Sequence, residues 1–576
     1  MTGKTVPSQT PAAEDRSSWR RDLPTLMVLF AATLALRIYY LFAYPFDSDE
    51  PQHLHVAWGW SQGLLQYRDV FDNHMPVFHI LSAPLVALIG EDPRILFFMR
   101  LAMLPLYAAS LWGAYQIGRS LFGERVGLWS ALFLGLLPAF FYNSLEFRTD
   151  NLWTVLLTLA VAVLVGGRWT GRRALSGGLL LGAALSVSLK TLMVVTAMTI
   201  AALALPMVLP PKPGPPGRSR QEGIKLAALV AGICVLPLAV TLFFARQNAL
   251  GPFYYCVVLH NVVPGFGRWR MPWTLMGFPP LLVFLVYGVR RLVRRVEPAG
   301  GAKRLAFVTL MAGAFFLLNE MVWPVNTAPT RLPLFPLLVV SLTGISMEGS
   351  RRLARAWPAP LSWGTGAGTW MLPCVAAAGL LLLPGREPLL RRPSSEQIAM
   401  VAGVLRLTDD SDYVMDLKGD TIFRKRAFYY VLEPLTMERI ARGTIPDRIA
   451  EACIATHAAI VVGGLRHYPP KARQFIEQNY LPVGPFHVAG HLFPPAAPGD
   501  DRIVAFQVEI PGRYSLLAEK GAVTTLLDGR PYSGARYLAP GRHELAQPPG
   551  EGSLSLLWAR AAEGGFSPFK AAGPRP

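Results

Sequence analysis

The sequence predicts an all-α polytopic membrane domain of about eleven helices, followed by a polar α/β plus β-sandwich region outside the bilayer. Three observations predict it. Only 16% of the 576 residues are charged, where soluble chains carry about a quarter. Near-continuous apolar runs such as Leu23–Ala43, Leu192–Leu209 and Met371–Leu383 recur along the first two thirds of the chain. About 20 such residues cross roughly 30 Å of hydrocarbon. The runs do not alternate with period two, which selects helices over a closed barrel. From about residue 386 onward, no run of spanning length follows.

The polar, basic segment Met1–Asp22 precedes a full-length apolar run, the pattern of a retained signal anchor. The expected spans are 23–44, 94–118, 126–142, 151–167, 174–189, 192–209, 225–245, 272–289, 305–321, 332–347 and 367–384. Charge orients them. One set of connections, with the N-terminal tail, holds 22 Lys and Arg residues, and the other holds 8. The basic set faces the cytoplasm. This placement accounts for the net charge of +18 and removes the argument for a nucleic-acid partner. The chain is therefore expected in the inner (plasma) membrane, with a cytoplasmic N-terminus and a periplasmic C-terminal region. Cys234, Cys256, Cys374 and Cys453 form no CxxC pair, so neither a disulfide framework nor a zinc ribbon is expected.

Pro76–Ile89 is apolar but too short to span. It reads as an interfacial helix inside a large outer loop, 45–93. Pro51–Gln66, with Leu54, Trp58 and Leu65 on one side, reads as a helix on the membrane surface. The loop 210–222 is a Pro/Gly-rich cytoplasmic linker. The expected organisation is a tail at 1–22, a membrane domain at 23–385, an α/β region at 386–495 and a β-sandwich-like module at 496–576. The last rests on short strand runs, IVAFQVEI, YSLLA, VTTLLD and LSLLWA, parted by Pro/Gly turns.

Residues able to carry chemistry gather on the outer side. Asp47, Asp49 and Glu50 stand where the first span leaves the bilayer. The same loop holds His53, His55, His74 and His79. Asp150 opens a helix at the same membrane height as Asp49. Two carboxylates at one height on separate helices can share an acid/base task or a metal ion. With His74 added, Asp49 and Asp150 form a candidate divalent metal set, identity open. Arg37, Arg100 and Lys190 lie in or beside apolar runs, where a charge costs about 2.5–3.5 kcal/mol and needs a partner or a cavity. His260, Arg268, Arg270 and Arg331 add basic groups in later outer loops. Cations over acids suit a lipid phosphate beside a catalytic carboxylate.

These motifs, in this order, resemble the membrane glycosyltransferases of the GT-C fold, nearest to the protein O-mannosyltransferase and aminoarabinose (lipid A) transferase group. The matching features are Asp49-Glu50, the turn Arg119-Ser120-Leu121-Phe122-Gly123, Thr149-Asp150, and the paired Pro333 and Pro336. Asn73-His74-Met75-Pro76 falls where relatives commonly have Lys-Pro-Pro, so His74 replaces a lysine. Arg331 is followed by Leu332, where relatives often carry a tyrosine. The resemblance covers about residues 23–346. It implies a polyprenyl-phosphate-linked sugar as donor, an acceptor on the periplasmic side, and an inverting displacement with polyprenyl phosphate leaving. Asp49 would act as base or electrostatic support. Glu50 and Asp150 would orient acceptor or metal, and Lys190, Arg270, Arg331, His74 and His260 would line the phosphate site. Two other readings are a transporter and a non-catalytic sugar-binding envelope protein. A transporter calls for ionisable residues at mid-membrane, often in internal repeats; here the acids and histidines gather at one surface and no repeat is visible. The non-catalytic reading leaves the outer acids and cations unexplained.

Overall fold

The computed structural model describes residues 11–210, 218–271, 273–296, 301–356, 367–387, 395–495, 502–547 and 552–569. Residues 1–10 of the expected tail and 211–217 of the expected linker lie outside this set. The first part is helical: α1 (Pro11–Ala43), α2 (Asp49–Ser61), α3 (Val77–Ile89), α4 (Ile95–Leu101), α5 (Leu104–Phe122), α6 (Glu124–Leu136), α7 (Pro138–Asn143), α8 (Thr149–Val165), α9 (Gly171–Val187), α10 (Thr191–Val208), α11 (Arg218–Arg246), α12 (Leu250–Tyr254), α13 (Trp273–Met276), α14 (Phe278–Arg295), α15 (Ala302–Leu317), α16 (Leu334–Ala356) and α17 (Ala367–Arg386). Each expected span falls on one of these helices or on a consecutive pair. Among the described residues, six helical segments, Trp19–Ala43, Ile95–Phe122, Thr191–Val208, Arg220–Arg246, Trp273–Arg295 and Ala302–Val322, are long and apolar enough to cross a bilayer unaided.

Local chemistry sets the breaks. Gly123 separates α5 from α6 at φ 110°, a conformation open mainly to glycine. Pro138 opens α7 at the first helical position, where a missing N–H costs nothing. The Thr170 hydroxyl caps α9 by accepting from the Arg173 amide. Small residues let α9 and α11 touch backbone to backbone. A Cβ on Gly178 would meet the Leu229 carbonyl oxygen at 2.2 Å, and one on Gly182 the Ile233 oxygen at 2.5 Å. Close approach of this kind holds helices together where lipid gives no hydrophobic advantage.

The two arginines within apolar segments are fully buried and paired. Arg37 on α1 donates to the Phe141 carbonyl at 2.7 Å and the Ser144 hydroxyl at 2.8 Å, and lies 3.8 Å from the Tyr107 ring centroid. Arg100 on α4 donates to Glu50 and to the carbonyls of Tyr44 and Pro45. Both cations thus tie the C-terminal end of α1 to its neighbours.

The C-terminal region contains α18 (Ser395–Leu407), β1 (Tyr413–Val414), β2 (Lys425–Arg426), α19 (Pro434–Ala441), α20 (Ile449–Ala455), β3 (Ile460–Val462), α21 (Pro470–Asn479), β4 (Tyr480–Val483), β5 (Phe486–Phe493), β6 (Arg502–Val508), β7 (Gly512–Ala518), β8 (Leu526–Leu527), β9 (Arg530–Pro531), β10 (Arg536–Leu538), β11 (Gly541–Gln547), β12 (Leu554–Trp558) and α22 (Ala559–Glu563). One sheet runs β10-β7-β12-β5-β3 with β4 also on β5, and a second runs β6-β11-β8-β9. Leu545 and Val508 from the second sheet share a core with Leu556, Leu516 and Phe493 from the first. Because β5 pairs with β12, the first sheet crosses residue 496.

This region is clasped to the α2–α3 and α3–α4 connections and to the segment after α12. Arg424 pairs with Glu91 at 2.8 Å, the Tyr429 hydroxyl donates to the Tyr67 carbonyl, and Arg439 donates to the carbonyls of Leu259, His260 and Val262. The clasp changes the setting of α2. Expected at the headgroup level, α2 is instead buried from Glu50 to Gly59. His55 bonds to the Ile422 carbonyl at 2.8 Å. The short α3 keeps one apolar face outward, with Ile80, Leu81, Leu85 and Leu88 exposed.

Candidate active site

The site grows from the first turn of α2. Successive helical residues lie about 100° apart, so Asp49 and Glu50 face different surroundings. Glu50 turns inward and is fully buried. It pairs with Arg100 at 2.5 Å and accepts the Phe147 amide at 2.8 Å and the Asp47 amide at 2.9 Å. All of its acceptor capacity is taken up in joining α2, α4 and the 143–148 loop. Asp49 turns toward an open cavity of about 580 Å³, a size typical of small-molecule sites.

The cavity lies between the C-terminal end of α1, the segments before α8 and α10, and the C-terminal region. Its wall includes Asp47, Asp49, His74, Glu146, Arg148, Lys190, Arg386 and Lys418. Tyr44, Tyr142 and Trp323 add aromatic surface, and Glu433, Pro434 and Leu435 contribute from the C-terminal region. Arg148 is the hub. It stands 2.7 Å from Asp47, 2.7 Å from Asp49, and 3.6 Å from both Glu146 and Asp150. Lys190 donates to Asp150 at 3.1 Å, and Lys418 to Asp49 at 2.8 Å. Arg386 lies 6.0 Å from the Tyr142 ring centroid, with no carboxylate within 4 Å among the described residues.

The electrostatics follow from this crowding. Burial pushes the Asp49 carboxyl up, but Arg148 and Lys418 outweigh it and hold Asp49 well below the usual carboxylate range. Burial raises Glu146 well above its usual value; Arg148 opposes this, while Glu50 and Asp47 add to it. Glu146 is therefore the acid of this group that burial most favours in its protonated form. Asp49 is the ionised one facing the cavity.

His74 is oriented from behind. Its Nδ1 lies 2.9 Å from Asp72, a fully buried carboxylate that also accepts from Gln66 at 2.8 Å. Asp72 lies 3.5 Å from the buried His79, whose other nitrogen meets His53 at 3.1 Å. Burial lowers His79 to about 4 despite the opposing effect of Asp72.

Of the eight residues singled out in the sequence, Asp49, His74 and Lys190 line the cavity. Asp150 is buried directly behind it, on Lys190 and Arg148. The remaining four stand elsewhere. Glu50 is taken up by Arg100, and His260 is buried against Glu433 at 3.0 Å. Arg270 is exposed and pairs with Glu438, and Arg331 pairs with Glu320 at 2.8 Å. Arg148, Arg386 and Lys418 were not singled out. Arg148 stands two residues before Asp150, whereas Lys418 reaches Asp49 across 369 residues of chain.

The suggested metal set does not fit. Asp49 and Asp150 each hold an ammonium and the Arg148 guanidinium, and the Nδ1 of His74 faces Asp72. Among the described residues, no group of three or more His, Cys, Asp or Glu side chains is arranged to hold an ion. Hard cations take several oxygen ligands, and here those oxygens already face cations.

Comparison with known proteins bears on the fold. Residues 73–241 match the family described as dolichyl-phosphate-mannose-protein mannosyltransferase. No curated protein matches the chain in sequence. Among solved structures, ArnT from Cupriavidus metallidurans bound to undecaprenyl phosphate aligns with a TM-score of 0.54 at 13% identity, over 80% of this chain and 97% of that one. The same protein in the apo state gives 0.53 at 14% identity, over 80% and 97%. The oligosaccharyltransferase AglB from Archaeoglobus fulgidus, in complex with an inhibitory peptide and a dolichol-phosphate, gives 0.43 at 11% identity, over 81% and 73%. The fold is that of a multi-pass membrane protein with a sheet-containing C-terminal region, as in ArnT. Over residues 73–241 the chain is similar to that mannosyltransferase family, and its fold is similar to that of ArnT.

Proposed function

We propose that the protein transfers a sugar from a polyprenyl-phosphate donor to an acceptor on the outer face of the inner membrane, with inversion at the anomeric carbon. The observation that carries this reading is the single cavity wall where ionised Asp49 stands among Arg148, Lys190, Lys418 and Arg386. A cation cluster at the outer helix ends suits a lipid phosphate, and charge-assisted bonds to phosphate are the strong ones. ArnT from Cupriavidus metallidurans, which shares the fold, has been solved with undecaprenyl phosphate bound. Eleven crossings with a cytoplasmic N-terminus and a periplasmic C-terminal region agree with the basic-residue bias. The division near residue 385 agrees with the last apolar helix ending at Arg386.

The donor phosphate competes with Asp49 for Lys418 and Arg148. As it draws these cations, Asp49 loses the partners that keep it a weak base. The freed carboxylate then accepts the proton of an acceptor hydroxyl. The acceptor oxygen bonds to the anomeric carbon from the face opposite the phosphate. The carbon–oxygen bond to phosphate breaks, and polyprenyl phosphate leaves with the electron pair. Arg148, Lys418, Lys190 and Arg386 stabilise that leaving anion in place. Asp150 positions Lys190 and Arg148, and Asp72 positions His74.

Mass spectrometry of lipid extracts tests the reading. A strain lacking the protein should accumulate one polyprenyl-phosphate sugar, and so should a strain carrying Asp49→Asn. The wild-type gene should clear it. Unchanged lipid-linked sugars in both strains would refute the reading.

A further inference from the structure

A second cavity, of about 290 Å³, lies on the other side of α2. Asp49 and Gln52 face the first cavity, while His55 and Trp58 face the second. Its floor is buried and apolar, formed by Trp58, Val70 and Phe71. Its mouth is polar and half open, formed by Asp69, Tyr413, Lys425, Arg426 and Tyr429. No step in the proposed transfer uses any of these groups.

Two features mark it as a built site. The first is backbone strain. Tyr67 and Ile422 both sit in the left-handed region, at φ 73° and 61°. Neither is glycine, and a β-branched residue there is a true outlier. Each lies on a segment that walls this cavity, 64–71 or 413–429. The fold holds both through cross-contacts: Tyr429 donates to the Tyr67 carbonyl, and the Ile422 carbonyl bonds to His55. Strain maintained in this way gathers at ligand sites. The second feature is charge. Asp69 is paired with Arg68, and Arg426 with Asp416 at 2.7 Å. Lys425 has no carboxylate within 4 Å among the described residues; its ammonium stands 5.9 Å from the Tyr413 ring centroid. Asp69 also feels Lys425 at longer range, and Arg68, Lys425 and Arg426 against Asp69 and Asp416 leave the mouth with a net positive charge over an aromatic floor.

We propose that this cavity is a saccharide subsite, taking one pyranose unit that carries a single anionic group. Aromatic faces stack on the apolar face of a sugar ring, Asp69 accepts its hydroxyls, and Lys425 pairs with its carboxylate or phosphate. At 1.5 Å per residue, Trp58 lies about 14 Å along α2 from Asp49 and on the other side of that helix, so the subsite is separate from the reacting carboxylate. Resting on the transferase reading, the unit belongs to a saccharide held by the protein away from the point of transfer.

Saturation-transfer NMR on the purified full-length protein in detergent tests the proposal without turnover. The probes are methyl glucuronide, glucose 6-phosphate and, as the neutral control, methyl glucoside. The expected result is transfer to one or both anionic probes, weaker transfer to the neutral one, and loss of about tenfold in affinity in Lys425→Gln, the usual scale for a charge-assisted bond. Tyr413→Ala should weaken all three probes, and Asp49→Asn should change none. No transfer to any probe, equal transfer to all three, or loss in Asp49→Asn but not in Lys425→Gln would overturn it. Binding found without measurable sugar transfer would leave the subsite standing while the transferase reading fails. Transfer activity without binding would do the reverse.

Discussion

Replacing Glu50 with Gln separates a structural carboxylate from a catalytic one. Glu50 and Arg100 are both fully buried and meet at 2.5 Å. The substitution keeps the shape but leaves Arg100 as a buried cation without a counterion. Breaking a buried pair in this way costs about 3–5 kcal/mol. Loops 44–48 and 143–148 loosen with it, because Glu50 also accepts the Asp47 and Phe147 amides. At about 2–4 °C per kcal/mol for a mid-sized domain, the apparent unfolding temperature in detergent should fall by roughly 6 °C or more. Removing both charges, in Glu50→Gln with Arg100→Met, should restore most of the loss, since an apolar pair of similar volume is often neutral. Heating followed by size-exclusion chromatography reads both effects. Two outcomes would refute the reasoning. One is a Glu50→Gln protein with unchanged thermal stability and no sugar transfer, which would return Glu50 to the chemistry. The other is a double variant whose loss equals the sum of the singles, which would mean that the two residues do not act as a pair.

Other predictions follow from the same geometry. Lys418→Ala should lower kcat/KM for the lipid-linked donor by about 10-fold or more, the scale of one charge-assisted bond, while thermal stability barely changes; an unchanged value would remove Lys418 from the site. His79 has its folded pKa lowered to about 4 by burial, against about 6.5 unfolded. The stability linked to it is therefore fully present above about pH 6.5 and is lost as pH falls toward 4; unfolding temperatures across that window should slope less in His79→Gln. Gly178→Val should cost more than the usual 1–3 kcal/mol of overpacking, because its Cβ would meet the Leu229 carbonyl oxygen at 2.2 Å. Monodisperse Gly178→Val protein at wild-type yield would contradict the close α9–α11 contact.

The helices were legible because hydrocarbon imposes long apolar runs, and each expected span lies on a helix. Arg37 and Arg100 also announced their need for partners simply by being charged within such runs. The partners themselves were not legible. Asp49 and Glu50 are adjacent and chemically alike, and only the rotation of α2 sends one to the cavity and the other to Arg100. The pattern of α2 fits a surface helix because its sequence cannot reveal that the 413–433 segment covers it. Lys418, Glu433 and Glu438 lie in a region with no pattern tying it to the outer loops, so Lys418 was missed, and the ion pairs occupying His260 and Arg270 could not be foreseen. Arg331 was read as a phosphate ligand because its partner, Glu320, sits eleven residues upstream at the other end of a loop.

The central claim is that ionised Asp49 and the cations around it act together on a lipid-linked sugar. Reconstituted protein, supplied with the polyprenyl-phosphate sugar that accumulates in the deletion strain, tests this most directly. Release of free polyprenyl phosphate, followed by mass spectrometry, should occur with wild-type protein. It should fall at least 100-fold in Asp49→Asn, the low end of what a positioned acid/base group contributes, with thermal stability retained. Release at the wild-type rate from folded Asp49→Asn protein would contradict the account.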